Sequence, residues 1–220
     1  MLQINQTMPM ATSEALTSTS QMPLATSGGM DFSKHTIADV QTAKSGKSAQ
    51  ILRGKDLHMV QFGAMEAPFN ASAYNEPDAN RVNLCMRTTP AIEDFLAEYE
   101  AWLMDYCQQE SARLFGKQMS LDEVKFMYTP ILKMSDKYPT LWKVKLNKTG
   151  RHAVRCWDKD TRQKMNIPED WREYSITPRV WIKSLWIQSK SFGVTMELVD
   201  ALLNATGPTE CPIDFEENAL

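Results

Sequence analysis

Trp181, Lys183, Trp186, Lys190 and Phe192 interleave large rings with lysines in a single short stretch. Rings can stack on bases, and ammonium groups can pair with phosphates. Together they suit a surface that follows a nucleic-acid strand without reading its sequence. The same residues also suit a core hairpin whose polar face is merely wet. Further cations lie upstream at Lys133, Lys143, Lys145, Arg151, Arg155 and Arg179.

Other chemistries find little footing. The four cysteines (Cys85, Cys107, Cys156, Cys211) include no CxxC pair, and His35, His58 and His152 do not cluster with them. Zinc sites and disulfide frameworks are therefore not expected. Gly46-Lys47-Ser48 suggests a phosphate loop, but position 41 is glutamine where that loop needs glycine. No Ser/His/Asp order and no carboxylate pair beside a basic strand point to catalysis. The expectation is a non-enzyme with no cofactor. No apolar run reaches the roughly 18 residues of a membrane span, and the N-terminus lacks a signal-peptide pattern. A reducing intracellular compartment, the cytoplasm or nucleus of a host cell, is expected.

Charge is unevenly placed in this chain of net charge −3. Residues 125–195 carry fifteen Lys/Arg against six Asp/Glu, while residues 196–220 carry six acids and no Lys/Arg. A basic middle with an acidic end suggests a polyanion-binding domain and an acidic tail. The alternative is local cancellation over all faces.

The elements that must position these groups can be read in order. Residues 1–50 are rich in Ser, Thr, Ala, Gln and Met and nearly lack aromatics, so they are expected to be a disordered arm. Met8-Pro9-Met10-Ala11-Thr12-Ser13 is echoed at residues 22–27, as a docking repeat or as low-complexity drift. Residues 51–204 are expected to form the folded domain. Leu57–Phe62 and Arg81–Arg87 read as strands, with a loop over residues 68–80. Thr89-Pro90 opens an amphipathic helix whose stripe runs Ile92, Phe95, Leu96, Tyr99, Trp102, Leu103, Tyr106, Cys107. Glu93, Asp94, Glu98, Glu100 and Asp105 form its solvent face, and Gly116 ends it. Ser120 and Glu123 stand at capping-box spacing before a second, short helix. The two make a helical insertion over residues 90–128. From Thr140 the chain alternates, with Leu141, Lys143 and Lys145 opposite Trp142, Val144 and Leu146. Arg151–Asp158 alternates again. Residues 178–203 read as a hairpin around Ser189-Lys190-Ser191, with Trp181, Lys183, Leu185 and Ile187 on one face and Val180 and Ile182 on the other. The fold class expected is α+β, mainly β: an OB-like β-barrel with a long amphipathic helix and disordered N- and C-terminal tails.

The order Tyr128-x-Pro130-Ile131-Leu132-Lys133, then Lys137-Tyr138-Pro139-x-Leu141 with Lys145-Leu146, then Trp186-Ile187 and Phe192-Gly193-Val194-Thr195, resembles a known family. It is similar to the single-stranded-DNA-binding proteins of nucleocytoplasmic large DNA viruses and their phage-like relatives. The likeness covers roughly residues 125–203. It implies an OB-fold barrel that binds single strands, of DNA or RNA, during replication, recombination or repair. On that reading the stacking candidates are Trp157, Trp181, Trp186 and Phe192, with Trp142 in the core. The phosphate candidates are Lys133, Lys143, Lys145, Arg151, Arg155, Arg179, Lys183 and Lys190. The acidic tail over residues 205–220, anchored by Ile213 and Phe215, would compete for the groove and recruit replication proteins. Self-association as a homo-oligomer is open to such a chain. A scaffold or virion component is the competing reading; it would use the N-terminal arm and the amphipathic helix for contacts.

Overall fold

The computed structural model describes residues 31–44, 46–73, 76, 79–134 and 136–207. A 3₁₀ turn at Phe32–Lys34 leads into β1 (His35–Ile37), β2 (Gln41–Ala43) and β3 (Gly46–Arg53). Short strands β4 (Asp56–Leu57), β5 (Met59–Gln61) and β6 (Met65–Glu66) follow, then β7 (Arg81–Arg87). Helices α1 (Pro90–Gln109), α2 (Ser111–Phe115) and α3 (Leu121–Met127) come next. The chain then forms β8 (Leu132–Lys133), β9 (Leu141–Asn147), β10 (Arg155–Asp158) and β11 (Lys164–Met165). It ends in two long strands, β12 (Tyr174–Ile187) and β13 (Phe192–Ala205).

The fold is mainly β with one long helix, and β12 and β13 are its spine. β12 pairs with β13 throughout, with β3 at its C-terminal end, and with β5 and β6 along its N-terminal half. β13 adds β10 in parallel, and β9 through the single pair Glu197↔Lys145. β9 in turn pairs with β7 and β8. The sheet curls without closing: no ladder joins β7 to β6, so the barrel expected from sequence is an open one.

Part of the expected N-terminal arm belongs to the fold. Residues 41–43 and 46–53 pair with each other, and β3 lies on the edge of β12 through Ser184↔Gln50 to Ile187↔Lys47. The apolar residues that seat this segment are few, Ile37, Ala49 and Ile51, which is why composition alone does not reveal it. Residues 1–30 and 208–220, with the Met-Pro repeat and the acidic tail, lie outside the described residues.

α1 buries most of the predicted stripe, Ile92, Phe95, Leu96, Tyr99, Leu103 and Cys107, with Met104 added, while Trp102 and Tyr106 are only half-buried against the core. It stops at Gln109. α2 is a separate short helix, ended by Gly116 at φ 78°, a left-handed conformation that costs glycine least. The capping box at Ser120 and Glu123 forms as spaced. Glu100 is not an idle solvent residue. It accepts the Tyr128 hydroxyl at 2.9 Å and the Ile131 N–H at 2.6 Å, tying α1 to the entry of β8.

Candidate nucleic-acid interface

β12 and β13 contain 14 residues each, so the pair extends for about 45 Å at the usual strand rise. The register slips twice along them. Asp200 faces Arg179 but Leu198 faces Val180, which leaves Val199 unpaired; Met196 faces Ile182 but Thr195 faces Ser184, which leaves Lys183 unpaired. Each slip is a β-bulge, and a bulge exchanges the two faces of a strand beyond it. The sequence reading placed Leu185 and Ile187 beside Trp181. They are buried with Val180 and Ile182 instead, and Trp186 comes round to the half-exposed face that carries Arg179, Trp181 and Lys183.

Three small cavities lie along this outer face. The first, about 280 Å³, gathers Trp186, Lys143, Lys145, Asn83 and Thr195. The second, about 240 Å³, gathers Trp181, Arg151, His152, Arg155 and Glu197. The third, about 330 Å³, gathers Trp157, Arg155, Arg162, Arg179 and Asp200. Each has one half-buried indole and at least two cations. Trp186 is seated by Gly193, its cross-strand partner, because a Cβ there would come within 2.7 Å of the indole.

Carboxylates on β13 organise the cations. Glu197 is only 3% exposed. It accepts from Arg81 at 2.5 Å and from Lys183 at 3.0 and 3.1 Å. A buried charge of this kind needs such partners. Lys183 in turn sits 4.8 Å from the centre of the Trp181 ring, a cation–π distance. Asp200 pairs with Arg155 at 2.7 Å and with Arg179, and accepts the Trp157 indole N–H at 3.2 Å. Lys145, opposite Glu197, has its ammonium pushed down by burial and then by Arg81 and Lys143. Burial raises the Cys85 thiol, and Lys143, its partner across the ladder, and Lys133 on β8 pull against it.

The sequence candidates thus divide. Trp157, Trp181, Trp186, Lys143, Lys145, Arg151, Arg155, Arg179 and Lys183 converge on the strip, and Lys133 lies at its β8 margin. Phe192 does not join them. It is 0% exposed, against Phe115 at 5.0 Å and Tyr128 at 5.4 Å, and so is a core ring rather than a stacking platform. Lys190 stands in the β12–β13 turn and lines none of the three cavities. Sequence reasoning missed Arg81, Arg162, Glu197 and Asp200. The two acids could have been suspected, since they stand three apart in a strand otherwise rich in apolar residues. It also passed over the exposure of Tyr138, which is 72% open in the β8–β9 connection beside Lys137.

No family model matches the chain, and no curated protein matches it. Among solved structures, it is similar to the single-stranded DNA-binding protein from bacteriophage Enc34 in complex with ssDNA. That likeness covers 79% of this chain and 97% of the other, at 8% identity and a TM-score of 0.39. It is also similar to gp2.5, a single-stranded DNA-binding protein encoded by bacteriophage T7, over 86% of this chain and 100% of the other, at 13% identity and a TM-score of 0.37.

Proposed function

We propose that the chain is a non-enzymatic, sequence-blind single-stranded DNA-binding protein whose ligand lies along the outer face of β12 and β13. One observation carries the reading: three half-buried indoles, Trp186, Trp181 and Trp157, each share a cavity with Lys or Arg on one continuous face. Unpaired bases present the π-faces that such rings need, and each stacked base contributes about 1–3 kcal/mol. Base pairs in a duplex keep those faces occupied, so single strands are preferred. Lys133, Lys143, Lys145 and Arg151 supply charge beyond the carboxylate-bound cations. The biological setting is replication, recombination or repair inside a host cell. The acidic segment over residues 210–217 serves as competitor for the groove and as contact for replication proteins.

The test is an anisotropy titration of labelled oligo-dT, with oligo-rU and duplex of the same length as comparators. Submicromolar binding to oligo-dT, weaker for duplex, is expected. Four phosphate contacts give a log K against log salt slope of roughly −3 on single strands. Absence of oligo-dT binding, both by the full chain and by a variant lacking residues 208–220, overturns the reading. Deleting the same residues is expected to tighten binding and to abolish pull-down of replication proteins. If it changes neither, the tail has no such role.

A further inference from the structure

The cavity where β10 meets the far ends of β12 and β13 has an excess of guanidinium groups. Arg155, Arg162 and Arg179 line it together with Trp157 and Asp200. Asp200 engages Arg155 and Arg179 and also holds the Trp157 indole N–H at 3.2 Å. Among the described residues no carboxylate is paired with Arg162. Three cations against one anion leave room for a further anion.

Arg162 is placed by its backbone. It has φ 59°, and it alone of the described non-glycine residues has a positive φ. Its N–H donates to the Asp158 carbonyl at 3.0 Å, closing the turn between β10 and β11. Asp158 in turn spends its carboxylate on that turn, accepting from the Asp160 N–H at 3.0 Å, the Thr161 N–H at 2.7 Å and the Thr161 hydroxyl at 2.8 Å. All three bonds fall on its Oδ1 and fix the carboxylate in the turn, and Asp158 does not line the cavity. Glycine would meet no steric penalty at position 162, whereas arginine does. What arginine adds there is a guanidinium at the cavity, in a side chain with the fork geometry that fits phosphate oxygens.

We propose that this cavity is a phosphate subsite, taking one phosphodiester of a bound strand with the flanking base against Trp157. Arg162 is its standing cation. Asp200 is a resident anion that holds Arg155 and Arg179 in place and occupies them until the phosphate arrives. This inference rests on the single-strand reading above and adds to it a defined end of the strip and a residue, Arg162, outside the sequence candidates.

The experiment is a salt series of oligo-dT titrations on the full chain, comparing wild type with Arg162→Ala, Arg162→Lys and Asp200→Asn, with thermal melting to confirm folding. Arg162→Ala is expected to flatten the salt slope by about 0.7, one phosphate contact on a single strand. The accompanying loss of affinity at low salt is roughly three- to tenfold. Arg162→Lys retains the slope, because the charge remains. Asp200→Asn steepens it, because the carboxylate charge no longer offsets the guanidinium groups that line the cavity. If wild type binds and Arg162→Ala keeps the wild-type slope, the subsite is refuted while the single-strand reading stands. Equal losses for the alanine and lysine variants refute it too, because the turn and not the charge would then be at work. An unchanged slope in a folded Asp200→Asn protein refutes the role given to Asp200. If wild type itself does not bind oligo-dT, it is the single-strand reading that has failed.

Discussion

Phe32, His35 and His58 meet Tyr99 and Trp102 of α1; Trp181 and Trp186 stand on the outer face of the long hairpin, with Trp157 beside it on β10. Both regions are rich in rings. In the first, rings meet rings: Phe32 stacks on Trp102 at 5.7 Å, and the His35 and His58 Nε2 atoms lie 3.1 Å apart. Burial, with His35 and Arg53 adding to it, pushes His58 down to about 3 and so keeps it neutral. In the second, rings meet cations, and the cations meet carboxylates on β13. Ring content therefore does not separate core from interface. What separates them is whether each ring's neighbours are other rings or charges held at the surface.

The contrast can be broken or sharpened at several points. The largest effect is expected from Phe192→Ala. This removes a fully buried ring, so it should cost about 3–5 kcal/mol of stability in a denaturant melt and leave the binding of the surviving folded fraction unchanged. A loss of binding without a loss of stability would put Phe192 back among the stacking residues. Trp181→Ala should do the reverse, weakening oligo-dT binding by about 1–3 kcal/mol with little change in melting temperature. Acidification should act on the first region. His58 has a folded pKa of about 3, below the unfolded 6.5, so protons favour the unfolded chain. Stability is then complete above pH 6.5 and falls by about 2 kcal/mol by pH 5. His58→Phe should flatten that dependence in melts at pH 7 and pH 5. The smallest effect is expected from Lys143→Ala, which should reduce the salt slope by about 0.7 and scarcely alter stability.

Much of the fold was legible where the period was unbroken. The α1 stripe and the alternation of β9 follow from apolar spacing, and Trp142 is buried as that alternation requires. The candidate site was legible in residue types and less so in facing. Period-two counting fails at Lys183, because a bulge depends on how β13 meets β12 and not on either strand alone. Phe192 looked like a platform because it follows the lysine-bearing turn. Helix α2 and Tyr128, distant in sequence, cover it. The strands over residues 35–50 escaped notice because few apolar side chains seat them, Ile37 and Ala49 among them, while ladders do much of the rest, β1 and β2 on β3 and β3 on β12. The pairing of Glu197 with Arg81 spans 116 positions, a relation no local window contains.

The unpaired Lys183 acts as a phase slip in the alternation of β12. The bulge absorbs that one extra residue and so keeps Leu185 and Ile187 buried and Trp186 on the outer face. Removing Lys183 would leave an unbroken alternation with the same facing, Ser184 taking the outward place next to Ile182. What the strand would lose is the extra outward cation that Glu197 holds, and not the frame of the residues beyond it.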